Sequence, residues 1–259
     1  AAFRHIGRRV PRREDRRLLR GEAQFFDDVP KPPGTLYMGC VRSTAAHADI
    51  LRVDGTAATA LPGVHAIFTG RDLAGAIKAM AADHGKKGFK STTRDVMPAD
   101  RVRYVGDTVA VVLAEDPYLL EDALDLVEVD YAELPAVIGL DEALAEGAPR
   151  LHPEIDDNVP FVTAACTEGF EQAFAAADLV VADTFTSTRM AGVSMEPRGC
   201  MAVWDRGLGA LTLWSSTQVP HLLRSALSEL LGLPESRLRV IAPDVGGGFG
   251  SKAHVYPEE

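Results

Sequence analysis

The sequence predicts a mixed fold, α+β with α/β character, and three stretches carry that prediction. Residues 101–134 run strand, helix, strand. Residues 220–244 run helix, strand. Between them LHPEIDDNVP (151–160), rich in Pro and Asp, reads as a linker that divides the chain in two.

The elements follow in order. GTLYMGCVRS (34–43) mixes apolar and small residues as a buried strand does, and GVHAIFTG (63–70) is a strand bounded by glycines. Residues 81–98, AADHGKKGFKSTTRDVMP, are polar and lack a period, so a mobile loop is expected there. RVRYVGDTVAVVLAED (101–116) holds two strand-like runs around Gly106-Asp107, and Val109–Ala114 is continuously apolar, the pattern of a strand covered on both faces. In PYLLEDALDLV (117–127) Pro117 suits a first helical turn, and Leu119, Leu120, Ala123, Leu124 and Val127 share a face. VEVDYAEL then alternates up to Pro135, and the first domain closes near residue 140.

In the second half DLVVADTFTSTRM (178–190) is strand-like and GALTLWSSTQ (209–218) alternates. PHLLRSALSELLG (220–232) begins with Pro, ends with Gly, and lines one face with Leu222, Leu223, Ala226, Leu227, Leu230 and Leu231. RLRVIAPD (237–244) is a strand running into glycines, and HVYPEE (254–259) reads as a helix start, with Pro257 at the first position and two acids for the dipole. No repeat or low-complexity tract is present.

Composition excludes several classes. At 259 residues, 46% hydrophobic and 25% charged, the chain is long enough to bury a substantial core. No apolar run approaches membrane-spanning length, and no leader opens the chain, which begins Ala-Ala rather than Met. A cytoplasmic setting is expected. Cys40, Cys166 and Cys200 form no C-x-x-C pair, so neither an iron–sulfur cluster nor a zinc site is encoded, and small buried hydrophobes in a reducing compartment are expected. The seven histidines (5, 47, 65, 84, 152, 221, 254) have no metal-ligand spacing. The net charge of −10 is uneven: residues 1–20 carry eight Arg (4, 8, 9, 12, 13, 16, 17, 20) against Glu14 and Asp15, a total of +6, which leaves −16 for the remainder. That remainder repels a polyanion, and no aromatic platform accompanies the arm, so no nucleic-acid partner is expected. The arm, residues 1–17, is expected to lie on an acidic partner surface.

DVGGGFGSK (244–252) packs four glycines into five positions, as a phosphate-binding loop does. It is not G-x-x-x-x-G-K-[ST]: counted from Gly246, the second glycine is Ser251 and the magnesium-binding hydroxyl is Ala253. It is not G-x-G-x-x-G either, because Ser251 again takes the last place. By itself the loop is as compatible with a tight turn as with a ligand.

Several motifs in order are more specific. The stretch WSSTQVPHLLRSALSELLGLPESRLRVIAPDVGGGFGSK, with SMEPRGCMAVWD (194–205) before it, resembles the first molybdenum-cofactor-binding domain of the molybdenum hydroxylase (xanthine oxidase) family, most closely the large subunits of the aerobic carbon monoxide dehydrogenase type. REDRRLLRGEAQFFDDV resembles the family's opening; RVRYVGDTVAVVLAED and VEVDYAELPAV resemble its α/β-hammerhead domain. The resemblance implies a hammerhead domain over 18–140, a linker over 141–160 and an incomplete molybdopterin-binding domain over 161–259.

It implies further that the loop holds the phosphates of a molybdopterin dinucleotide, in bacterial members usually the cytosine form, through Gly246, Gly247, Gly248, Phe249 and Gly250. Gln218 matches the glutamine that hydrogen-bonds an oxygen ligand of molybdenum, and Phe249 packs near the metal's ligands; neither binds the metal directly. Lys252 is open between a part of the phosphate loop and a solvated lysine, and a structural hydrogen-bonding role is expected of Glu196. The implied activity is oxidation of an aldehyde, N-heterocycle or carbon monoxide-like small molecule with water as oxygen source, with electrons leaving through 2Fe–2S and FAD on partner subunits. Ala253 stands where purine-oxidising members carry a substrate-binding glutamate, so a purine is disfavoured. The family's catalytic glutamate belongs to a downstream segment, so no catalytic residue is assigned here, and the downstream half of the large subunit is an expected partner. A non-catalytic scaffold half of a split molybdenum subunit is the alternative; a nucleotide-binding protein is a more distant one.

Overall fold

A computed structural model describes residues 6–82 and 85–259; Arg4, His5 and His84 lie outside the described residues. The chain forms two compact units: one is the chain up to Pro33 together with Ala191–Glu259, the other is Gly34–Met190. The fold is α+β.

The N-terminal segment contributes one helical turn, α1 (Asp15–Leu18), and a 3-10 turn at Phe26–Asp28. The Gly34–Met190 unit then runs β1 (Tyr37–Arg42), β2 (Ala48–Asp54), α2 (Thr56–Thr59), β3 (Val64–Thr69), α3 (Gly70–Leu73), β4 (Met80–Ala82), β5 (Thr92–Arg94), β6 (Arg101–Val102), β7 (Thr108–Ala114), α4 (Pro117–Asp125), β8 (Glu128–Glu133), α5 (Leu140–Leu144) and α6 (Phe170–Ala175). Two antiparallel sheets carry it, β1-β7-β3 and β6-β2-β8, and β4-β5 is a separate hairpin.

Strand β7 is central in its sheet and lies between two cores, which is why its sequence is apolar without alternation. Val112 and Ala114 pack with Ala58, Leu120 and Ala123; Val109 packs with Ala48, Ile50 and Val102. Helix α4 starts where Asp116 accepts the N–H groups of Tyr118 and Leu119 ahead of Pro117. It lies so close over β1 that a Cβ on Gly39 would stand 2.7 Å from Leu124 Cδ1.

Three expectations for this unit need correction. The polar segment 81–98 is not a structureless loop: its ends pair as β4 and β5, with Ala82 opposite Thr92. Residues 178–190 form no strand, and Leu179, Val181 and Phe185 are exposed. Alternation supplies two faces, but a strand also needs a neighbouring strand for its backbone N–H and C=O groups, and no described segment pairs with this one. Cys166 is exposed, while Cys40 is half-buried here and Cys200 is half-buried in the other unit.

The C-terminal part of the first unit runs β9 (Cys200–Asp205), β10 (Ala210–Ser215), α7 (Pro220–Leu231) and β11 (Leu238–Ile241). β9 and β10 are an antiparallel hairpin; α7 is the crossover that returns β11 parallel to β10, with Leu211 opposite Leu238 and Trp214 opposite Ile241. Pro220 opens α7, and Gly232, at φ 65°, closes it in the left-handed conformation that only glycine adopts without cost. Leu223 and Leu227 face Leu213 and Leu238 across the crossover. The parallel register delivers the ends of β10 and β11 to one edge of the sheet, and that edge carries the site. HVYPEE does not start a helix. It turns back: Tyr256 Oη donates to Ser251 O at 2.5 Å and Ser215 Oγ donates to Glu259 Oε1 at 2.5 Å. Among the described residues no helix is long and apolar enough to cross a membrane.

Candidate functional site

Beyond β10 the chain continues as Ser216-Thr217-Gln218, and beyond β11 as the glycine loop. Backbone bonds tie the two together. Gln218 N–H donates to Lys252 O at 2.8 Å, and Thr217 Oγ1 donates to the same carbonyl at 3.3 Å. Gly250 N–H donates to Gln218 Oε1 at 3.1 Å. A backbone N–H can donate only to the amide oxygen, so this bond fixes the orientation of the amide and leaves Gln218 Nε2 as a donor. Gln218 and the loop therefore meet.

The loop's glycines answer to geometry. A Cβ on Gly248 would collide with the Gln218 amide, and one on Gly246 would stand 2.6 Å from Glu196 Cβ. Gly247 and Gly250 have φ of 96° and 87°. Phe249, between them, has φ 50°, the one positive value among the described non-glycine residues, and it is 79% exposed. A bulky residue seldom adopts that region, and holding it there stores backbone strain. The N–H groups of Gly247, Gly248 and Phe249 have no protein acceptor among the described residues. Successive N–H groups in such a turn form a cradle for an oxyanion.

Two carboxylates support the loop from beneath. Glu196 Oε2 accepts from Gly246 N–H, Ser216 Oγ and Lys252 Nζ, each at 2.7 Å, and Oε1 accepts from Phe26 N–H at 3.1 Å. Burial pushes the Glu196 carboxyl up, but the bonds from Lys252, Ser216, Gly246 and Phe26 together outweigh it and hold the pKa at about 2. Asp244 accepts both arms of the Arg17 guanidinium and the N–H of Gln24; Arg17 first, then Gln24, lowers it to about 2.

Two readings from the sequence change here. Lys252 is not a solvated lysine: it is 1% exposed, and its ammonium bonds Glu196 and Ser216. Arg17, counted with the free basic arm, is paired with Asp244. Glu196 has the hydrogen-bonding role expected of it. The pairings of Arg17 with Asp244 and of Ser216 with Glu196 leave no mark in the sequence, because the partners are 227 and 20 residues apart, beyond any local pattern. No group of three or more His, Cys, Asp or Glu that could hold a metal occurs among the described residues.

This architecture, a two-sheet unit and a β-α-β unit with a glycine loop at its sheet edge, matches two family models. Residues 20–135 match the aldehyde oxidase and xanthine dehydrogenase a/b hammerhead domain, and residues 151–259 match the molybdopterin cofactor-binding domain. The nicotine 6-hydroxylase large subunit of Paenarthrobacter nicotinovorans is 41% identical over 254 residues, 98% of this chain and 31% of that protein. The carbon monoxide dehydrogenase large chain of Afipia carboxidovorans is 37% identical over 97% of this chain and 32% of its own length. The crystal structure of quinoline 2-oxidoreductase from Pseudomonas putida 86 superposes with a TM-score of 0.89 at 38% identity, over 98% of this chain and 32% of that one. The chain belongs to the molybdenum hydroxylase (xanthine oxidase) family. It spans about a third of the length of these relatives.

Proposed function

We propose that the chain is the part of a molybdenum hydroxylase large subunit that receives the molybdopterin dinucleotide, in its cytosine form, at the glycine loop. The observation that carries the reading is the Gln218–Gly250 bond: it leaves an amide donor beside a loop whose N–H groups at 247, 248 and 249 have no protein acceptor among the described residues. That donor set is neutral and fits an oxyanion, and the missing Cβ of Gly248 lets the Gln218 amide lie against the loop.

In this reading Gly246, Gly247, Gly248, Phe249 and Gly250 hold the cofactor, with the open N–H groups donating to phosphate oxygens. Gln218 Nε2 donates to an oxygen at the metal without adding charge. Phe249, held by its strained backbone, would pack near the metal's ligands when the cofactor is bound. When bound, the cofactor supplies the centre at which a small molecule is oxidised with water as oxygen source. The general base, 2Fe–2S and FAD belong to the downstream half of the subunit and to partner subunits, in the cytoplasm. The domain division proposed is 18–140 and 161–259, joined by 141–160, with residues 1–17 bearing on a partner.

The substrate is a small molecule. Two of the relatives are named for N-heterocycles, and Ala253 disfavours a purine, so an N-heteroaromatic compound is the first class to assay, with aldehydes and carbon monoxide next. The test is the complete subunit with its partners: molybdenum content, nucleotide released by acid, and dye-linked oxidation of quinoline, nicotine, benzaldehyde and carbon monoxide. A complex that carries no molybdenum overturns the proposal.

A further inference from the structure

We propose that Lys252 acts as the internal counter-ion of Glu196, and that the pair positions the glycine loop so that backbone N–H groups alone hold the phosphate. This deepens the cofactor reading above and rests on it.

A lysine placed just after a glycine loop invites the role of a phosphate ligand, a point charge reaching over the bound group. The structure directs it elsewhere. The Lys252 side chain is fully buried and its ammonium donates to Glu196 Oε2 and Ser216 Oγ, both at 2.7 Å. The open N–H groups belong to Gly247, Gly248 and Phe249 instead. Phe249 is exposed and Gly247 half-buried, Gly248 between them is buried, and the Lys252 side chain is buried.

The pair grips the loop at both ends. Glu196 Oε2 takes the N–H of Gly246 where the loop begins. At the other end the buried ammonium seats Lys252, whose carbonyl accepts from Gln218 N–H and Thr217 Oγ1. Gly246 and Lys252 are thus fixed points, and between them the N–H groups of Gly247, Gly248 and Phe249 have no protein acceptor among the described residues. A buried ammonium without its carboxylate, or the reverse, leaves a charge uncompensated, whereas removing both leaves a neutral interior.

This gives the lysine a signature that a phosphate ligand lacks. In the complete subunit with its partners, Glu196→Gln, Lys252→Met and the double variant are purified, and bound molybdenum, acid-released nucleotide and the thermal midpoint are measured. Glutamine keeps an acceptor for Gly246 N–H and methionine keeps the lysine's apolar stem. Each single variant is expected to lose about tenfold or more of its molybdenum, and the double to recover to within about threefold of wild type. If the double holds no more cofactor than Lys252→Met, or if Lys252→Met alone stays at wild-type content, the proposal is wrong. If the single variants do not fold, the double decides by itself, and a double that is unfolded or empty also overturns the proposal. A wild-type complex without molybdenum is a different result, the failure of the cofactor reading itself.

Discussion

Gln218 Oε1 and the N–H of Gly250 meet at 3.1 Å across 32 residues of sequence. The bond uses the oxygen of the amide and leaves its nitrogen as a donor, the group that the proposed role of Gln218 needs. In the complete subunit Gln218→Glu keeps an acceptor for Gly250 but gives up the donor and adds a negative charge. Turnover is expected to fall about 10²- to 10³-fold, as on removal of a preorganised donor, with little change in thermal midpoint. Wild-type turnover in this variant would remove Gln218 from the site.

Gly248 and Gly250 should fail differently. A methyl group on Gly248 meets the Gln218 amide, so Gly248→Ala has to displace that side chain, and bound molybdenum is expected to drop sharply. Gly250 has open space around its missing Cβ but φ of 87°, so Gly250→Ala costs about 1–2 kcal/mol of backbone strain without a collision. Metal analysis and denaturant titration of both variants separate the two effects; equal metal loss would contradict the geometry.

The Arg17–Asp244 pair predicts a pH dependence of definite sign. Asp244 is lowered from 3.8 to about 2 in the folded chain, so its contribution is complete above its unfolded value and is lost as pH falls through the folded one. Arg17→Ala should therefore lower the thermal midpoint near neutral pH by a modest amount, because both partners are partly exposed and screened. The gap between variant and wild type should narrow below about pH 4 and shrink in high salt. A gap that widens on acidification would show that the pair is not its source.

Asp116 holds the first turn of α4 through Tyr118 and Leu119 N–H, and α4 covers one of the two cores. Asp116→Ala should cost about 1 kcal/mol, and Asp116→Asn, which keeps the acceptor, much less. Urea unfolding midpoints of the two variants compared with wild type test this; a neutral alanine variant would mean that Pro117 alone sets the helix start.

What the sequence determined by itself was local or was patterned along one segment. The apolar run Val109–Ala114 specified a strand covered on both faces, and β7 lies between two cores. Pro117 with its leucine face specified α4, and Pro220 and Gly232 bracketed α7. The motifs in series specified the family, because their order and spacing are properties of the chain. Tertiary structure decided what depended on a distant partner. Thr92–Arg94 became a strand only because Met80–Ala82 lies alongside, and 178–190, with the better strand pattern, did not because no described neighbour completes its ladder. Lys252 reads the same in sequence whether solvated, at a phosphate or buried; the carboxylate of Glu196, 56 residues earlier, decided for burial. The reason is common to all three. A backbone N–H group or a charge is indifferent to its own neighbours in sequence and settles where a complementary group removes the cost of leaving water, and only the folded chain fixes where that group stands.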